Sequence, residues 1–277
     1  MSNDLILSIK SSLAKVGVDQ ETLAVAGKSN GGGGGSKRIS IKGGVFRKYV
    51  GGKEVAAIED RHMNVIFVKM AADPSRTYYT GAYKEGEKIS PACWSSNSKA
   101  PDPEVKNPQS SSCDTCQWSV RGSGQGGNGA ACRMSWRTAV VLPNDPKGDV
   151  MQLVLPATSA FAKEDGGKWG FRPYCQYLAN NNISAKHVVT KMQFDTKSPV
   201  PKVMFSPVSA VEDAILSDLD VQSRSQAAEN AVKLNVYQAD EGETQTIPEP
   251  VLRKSEKSEP VASEDVSDVI KKWSKKK

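Results

Sequence analysis

Aromatic residues and histidines are scarce in this chain. Aromatics make up 6% of the 277 residues, hydrophobic residues 38%, and the two histidines are His62 and His187. Because folded domains usually carry about 45–50% apolar residues, we expect part of the chain to stay outside a packed core. No apolar run approaches the ~18–20 residues of a membrane span. The first residues lack a basic region followed by an apolar core, so we expect no signal peptide and a soluble cytosolic protein.

Sets of residues that perform catalysis are also missing. The two histidines are far apart in sequence, and no nucleophile-elbow motif accompanies either one. Zinc deaminases need a His-x-Glu motif upstream of Pro-Cys-x-x-Cys, whereas Ser112 precedes Cys113 here. Residues 26–29 resemble the end of a phosphate-binding loop, but Thr22 stands where the first glycine is required. The sequence therefore predicts that the protein is not an enzyme.

Charge is distributed unevenly along the chain. Residues 37–200 carry 23 Lys and Arg against 14 Asp and Glu, a net charge of +9. Residues 201–264 carry 6 against 12, a net charge of −6, and residues 265–277 hold five Lys and two Asp. A basic body beside an acidic stretch is typical of a polyanion-binding core with a separate tail. The alternative is a solvated surface without a partner.

Composition divides the chain into four segments. We predict an N-terminal helical hairpin and a Gly-rich tether over 1–36, with a role in packing or self-association. Residues 37–206 hold the predicted globular domain. Residues 207–240 are predicted to be helical, with one helix over 208–219. Residues 241–277 are predicted to form a disordered acidic tail that ends in a basic amphipathic helix.

The globular segment shows many short strands separated by glycine turns. Its predicted strands are 38–42, 45–50, 65–70, 77–83, 137–142, 151–155, 188–194 and 203–205, and its predicted helices are 158–163 and 172–180. The pairs Gly43-Gly44 and Gly51-Gly52 suit sharp bends at the corners of a barrel. This pattern predicts a mainly β fold, a strongly twisted, OB-fold-like β-barrel.

Four of the five cysteines lie within 40 residues, in the spacing C-x19-C-x2-C-x15-C: Cys93, Cys113, Cys116 and Cys132. The two-residue gap lets adjacent thiolates share one tetrahedral metal ion. Disulfides are disfavoured in a cytosolic chain, and the surrounding Ser- and Gly-rich sequence cannot pack a core. We therefore predict an insertion over 93–133 that is held by one structural Zn²⁺. A redox pair or unrelated buried thiols are the alternatives, and Cys175 is expected in the core.

Cationic and aromatic side chains alternate in the strand region. Single-stranded nucleic acid is bound by such a mixture, because Lys and Arg contact phosphates while aromatic rings stack on bases. Tyr78 and Tyr79 point to opposite faces of a strand, so at most one of them meets DNA. The alternative is that half of the aromatics belong to the core. The predicted DNA-binding residues are Arg38, Lys42, Phe46, Arg47, Lys48, Tyr49, Tyr79, Tyr83, Arg133, Trp136 and Arg137.

Several spaced motifs within 37–206 carry a family resemblance. They are the runs 37–47, 93–97 (CWSSN), 113–116 (CDTC), 129–133 (GAACR) and 194–201 (FDTKSPVP). Together they resemble a group of tailed-bacteriophage, zinc-containing single-stranded DNA-binding proteins. The resemblance implies an OB-type barrel with a zinc-bound insertion. It also implies work in DNA replication, recombination or repair in the cytoplasm of an infected bacterial host. Of that family's functional residues, only the four cysteines carry over.

The C-terminus departs from the acidic tip by which many single-stranded DNA-binding proteins recruit replication partners. It ends in Lys-rich sequence, and four apolar residues share one predicted helical face: Val266, Val269, Ile270 and Trp273. A short amphipathic helix after a disordered tether is typical of a docking peptide, and a frayed tail with a chance stripe is the alternative. We expect this helix to bind replication or transcription proteins. The alternative function is a zinc-containing transcription regulator that contacts host RNA polymerase through this helix.

Overall fold

Strands dominate the secondary structure. A computed structural model describes residues 37–81, 89–124, 127 and 129–236. The strands are β1 (Arg38–Ser40), β2 (Phe46–Val50), β3 (Lys53–Ile58), β4 (His62–Met70), β5 (Ser75–Tyr78), β6 (Cys93–Ser95), β7 (Arg133–Val141), β8 (Met151–Pro156), β9 (Val188–Phe194) and β10 (Val203–Ala210). The helices are α1 (Ala157–Ala160), α2 (Phe171–Asn180), α3 (Asp213–Arg224) and α4 (Gln226–Val232). The predicted mainly β class is confirmed.

Eight strands form a curled half-barrel sheet in the order β10-β9-β4-β7-β8-β1-β2-β3. Strand β5 pairs with both β6 and β7, which extends the sheet beyond this series. The pair β1–β8 is parallel, and the other pairs among the described strands are antiparallel. The sheet therefore has β3 and β10 at its two ends.

Paired glycines make the turns on both sides of β2. Gly51 and Gly52 have φ values of 60° and 79° and close the β2–β3 hairpin. A two-residue hairpin loop of this kind needs positive φ at both positions, which glycine adopts without a Cβ clash. Gly43 and Gly44, each with φ 73°, turn the chain between β1 and β2. The predicted turns at both glycine pairs are confirmed.

The two faces of the sheet pack against different helices. On one side, here called the α2 face, Phe67, Leu153 and other buried residues pack against α2 and its neighbours. On the other side, the α3–α4 face, Ile66 and Ala139 pack against α3 and α4. Gln152 of β8 donates from Nε2 to the carbonyl of Ala231 at 2.7 Å, so the end of α4 lies over β8. These helices cover only part of this side of the sheet, and the rest of the α3–α4 face lies next to them.

The structure corrects several predicted boundaries. Strand β10 continues to Ala210, because Ser209 and Ala210 pair with β9 after an irregularity at Pro207. The predicted helix 208–219 is therefore wrong in its first residues, and the domain boundary at 206 falls inside a strand. Strands β3 and β6 were not predicted, because β3 is exposed along most of its length and β6 is short, whereas α4 lies within the segment 207–240 that was predicted to be helical. No helix in the described part of the chain is long and apolar enough to cross a membrane.

Candidate nucleic-acid interface and cysteine cluster

The cysteine-containing insertion connects β5, β6 and β7. Cys93 opens β6 opposite Tyr78 of β5, and Cys132 directly precedes β7. Between them the chain folds into turns, and the backbone N–H of Cys132 donates to the carbonyl of Trp118 at 2.8 Å. This bond holds the loop that contains the third cysteine, Cys116, close to the start of β7. The topology thus brings cysteines from distant sequence positions to one edge of the sheet.

Four buried cysteines line one small cavity: Cys93, Cys113, Cys116 and Cys132. The cavity has a volume of about 20 Å³, which is room for one water molecule or one ion. Burial raises the pKa of the Cys132 thiol to about 11; Arg76 opposes this rise and the other three thiols add to it. Burial likewise raises the pKa of Cys113. The Cys113 and Cys132 thiols are therefore neutral at pH 7, and a metal would displace their protons on binding.

Unsatisfied polar atoms surround the same cavity. Arg76 Nε, Trp118 Nε1 and Ser119 Oγ are buried without a hydrogen-bond partner among the described residues, and all three residues line the cavity. Buried donors of this kind are costly unless an unseen group accepts from them. A metal–thiolate centre carries negative charge that such donors and the Arg76 guanidinium would stabilise. The donor set therefore fits a thiolate-bound metal, although no group of three described His, Cys, Asp or Glu side chains is already arranged to hold one.

Aromatic packing supports the insertion. The rings of Tyr78 and Trp118 stack with centroids 5.0 Å apart, and Trp94 and Val105 pack in the same cluster. Tyr78 is buried, whereas its neighbour Tyr79 is 42% exposed. The prediction that these two tyrosines point to opposite sides is therefore confirmed.

Strands β1, β2 and β3 gather cationic and aromatic side chains on one face. Arg38 pairs with Tyr49, and its guanidinium carbon lies 4.7 Å from the centroid of the Tyr49 ring. Arg47 donates from Nη1 to Glu54 Oε1 at 2.7 Å, and the Tyr49 hydroxyl donates to Glu54 Oε2 at 3.1 Å. Arg38, Arg47 and Tyr49 therefore share one side of the sheet, with the Glu54 carboxylate between the latter two.

The register of β8 and β7 continues this face. Arg38 pairs with Gln152, which pairs with Ala139, a core residue of the α3–α4 face. Arg133 and Arg137 lie on the same side as Ala139, because side chains alternate along β7.

Tyr79, the residue that follows β5, joins the same side. Thr77 of β5 pairs with Arg133, and Tyr79 lies close enough to Arg137 to influence its pKa. We call the resulting set the arginine face: Arg38, Arg47, Tyr49, Tyr79, Arg133 and Arg137.

Three predicted DNA-binding residues do not belong to the arginine face. Phe46 is fully buried, with its ring 4.5 Å from that of Phe194, so it cannot stack on a base. Trp136 packs against the core of the α2 face, and its indole N–H donates to the carbonyl of Ala71 at 2.8 Å. Lys48 pairs with Ile39 on the α2 face, and its Nζ lies 3.2 Å from Asp149 Oδ2.

The remaining predicted residues are Lys42, which lies in a turn, and residues outside the described part of the chain. Lys42 is exposed in the turn that follows β1. Tyr83, the N-terminal segment 1–36 and the tail 241–277 lie outside the described residues, and so do Val266, Val269, Ile270 and Trp273. Docking through the C-terminal helix, to RNA polymerase or to replication proteins, therefore stays a prediction.

Sequence reasoning missed two residues that shape these sites. Glu54 contacts two members of the arginine face, but β3 lacks the apolar alternation that would have predicted a strand there. Arg76 lies near Cys113 and Cys132, a proximity created by the pairing of β5 with β6 and β7. Because side chains alternate along an extended chain, the sequence could have indicated that the side chains of Arg76 and Tyr79 point to opposite sides of the sheet.

Comparison with known proteins identifies no family. No family model, no curated protein and no solved structure matches the chain. Function therefore rests on the chemistry of the arginine face and the cysteine cluster.

Proposed function

We propose that this protein binds single-stranded DNA without strong sequence preference and coats it during replication, recombination or repair. The arginine face is the observation that supports this proposal. Arg38, Arg133 and Tyr79 are exposed there. Guanidinium groups contact phosphates whatever the base sequence, and phosphate contacts dominate nonspecific affinity.

The tyrosine rings of the arginine face favour an unpaired strand over a duplex. Tyr49 and Tyr79 lie among the arginines of the same face, so a strand that follows these charges passes both rings. Stacking on an aromatic ring requires a free base face, which a base-paired duplex offers only at its ends. Each stacked base contributes about 1–3 kcal/mol, whatever the base. This combination favours single-stranded DNA as the ligand.

We also propose that the protein binds one structural Zn²⁺. Cys93, Cys113, Cys116 and Cys132 would hold it as four thiolates, which leaves no open position for catalysis. The metal would cross-link the Ser- and Gly-rich insertion to the adjoining strands. Tyr79 directly follows β5 and Arg133 begins β7, so the cross-link would fix one end of the arginine face.

A titration with oligo-dT and with a duplex of equal length tests this function. We expect the single strand to bind more tightly at 50 mM salt, because only unpaired bases can stack on the tyrosines. Affinity should fall steeply with salt, with a log–log slope of about −0.7 per phosphate contact. Fluorescence anisotropy of labelled strands measures both quantities. Preference for the duplex, or no binding at 50 mM salt, would overturn the proposal.

Replacing Glu54 by glutamine is expected to tighten binding. The Glu54 carboxylate accepts hydrogen bonds from Arg47 and Tyr49 and competes with a phosphate for both donors. Removing this charge should lower the Kd for oligo-dT about three- to tenfold at 50 mM salt, comparable to one added phosphate contact. Glu59→Gln, an exposed carboxylate just beyond β3, is the matched control. Equal gains in the two variants would point to net charge and contradict a local role for Glu54.

A further inference from the structure

Arg137 is a mostly buried cation with only neutral partners. Its Nη1 donates to the hydroxyls of Ser75 and Ser135, the latter at 3.3 Å. Within the described residues no carboxylate forms an ion pair with it, and both of its side-chain hydrogen bonds use this one nitrogen. Burial lowers the pKa of Arg137, and nearby Tyr79 partly offsets that effect. A fixed guanidinium with spare N–H donors is suited to bind an anion.

A recess of about 340 Å³ opens beside this guanidinium. Its lining includes Arg137, Lys233 and Asn235, together with Ser75, Ser96 and Asp73. Asp73 also lines the recess, and its Oδ2 lies 3.5 Å from Lys99 Nζ. Among the lining residues the two cations, Arg137 and Lys233, therefore outnumber this one carboxylate.

We propose that this recess binds the terminal phosphate monoester of a bound DNA strand, an inference that rests on the proposed function. A monoester carries a charge of about −1.5 to −2 at pH 7, whereas each internal phosphodiester carries one negative charge. Two cations match the monoester better than the diester. The planar guanidinium of Arg137 donates two parallel hydrogen bonds to such a group, and Lys233 adds a point charge. The recess would therefore recognise a strand end while the arginine face holds the strand.

Short dT oligonucleotides of about 12 residues with different ends test the proposal. One carries a 5′-phosphate, one a 3′-phosphate and one hydroxyls at both ends. We expect one of the phosphorylated strands to bind the full-length protein about tenfold more tightly than the hydroxyl-ended strand. Inorganic phosphate at millimolar concentration should remove that advantage. Equal affinities for all three strands would overturn the recess, whereas failure of all three to bind would overturn the proposed function itself.

Two variants separate a terminal from an internal phosphate. Lys233→Gln changes an exposed side chain and should reduce the ratio of the two dissociation constants to about one. Arg133→Gln is the matched control: it removes a cation of the same face outside the recess lining and should weaken both strands alike, leaving the ratio unchanged. If Lys233→Gln weakens both strands by the same factor, the recess binds an internal phosphodiester and the proposal is wrong.

Discussion

Replacing Cys113 by serine is expected to abolish zinc binding at the proposed four-thiolate site and to lower the midpoint of thermal unfolding by about 10 °C. Four thiolates would cross-link an insertion whose own core is small, formed around Tyr78, Trp94 and Val105. Structural zinc sites contribute directly to the free energy of folding. A loss of about 4 kcal/mol corresponds to roughly 8–16 °C in a domain of this size.

The measurements are native mass spectrometry and calorimetry. The first should show one zinc per wild-type chain and none in Cys113→Ser, and the second gives the unfolding midpoint. Cys175→Ser is the matched control, because this half-buried thiol on α2 lies near Met70 and outside the cluster. It should keep its zinc and change the midpoint little. A wild-type chain without zinc that reversibly loses two hydrogen atoms, as two protons and two electrons, to an added oxidant would favour a redox pair instead.

The cysteine cluster shows how much of the site the spacing of the cysteines in the sequence could predict. The C-x2-C pair predicted a common centre, and the structure places Cys113, Cys116 and the distant Cys93 and Cys132 around one cavity. Spacing could not predict the donors around them. Trp118 and Arg76 reach the cavity through a loop turn and a strand pairing, and both depend on the folded chain.

The arginine face shows what the sequence could not predict, namely which side of the sheet each side chain occupies. Composition identified a basic, aromatic strand region, but it could not separate Arg47 from Lys48, which are neighbours in sequence and lie on opposite faces. Alternation alone leaves open which face is buried, and that depends on where the helices pack. Phe46 and Trp136 followed from the same composition and belong to the core. The strand register, which is set by the glycine turns and by the pairing with β8, determines which of these side chains face the core and which lie on the arginine face.

Neutralising three arginines of this face should weaken DNA binding more than any other change considered. The variant Arg38→Gln, Arg47→Gln, Arg133→Gln removes three proposed phosphate contacts from strands β1, β2 and β7. Each contact contributes about 0.7 to the salt slope, which is about eightfold in affinity at 50 mM salt relative to 1 M. The Kd for oligo-dT should therefore rise by about two to three orders of magnitude, and the slope should fall by about 2.

A control with the same net charge decides whether position or total charge matters. Lys48→Gln, Lys147→Gln, Lys197→Gln also removes three positive charges, but Lys48 lies on the α2 face and the other two are exposed in loops outside strands β1, β2 and β7. Because phosphate contacts are local, this variant should lose less than tenfold in affinity and keep nearly the full slope. Equal losses in the two triple variants would mean that the basic body attracts DNA through its net charge alone. A large loss confined to the arginine variant, with its thermal midpoint unchanged, would assign the strand to the face formed by β1, β2 and β7.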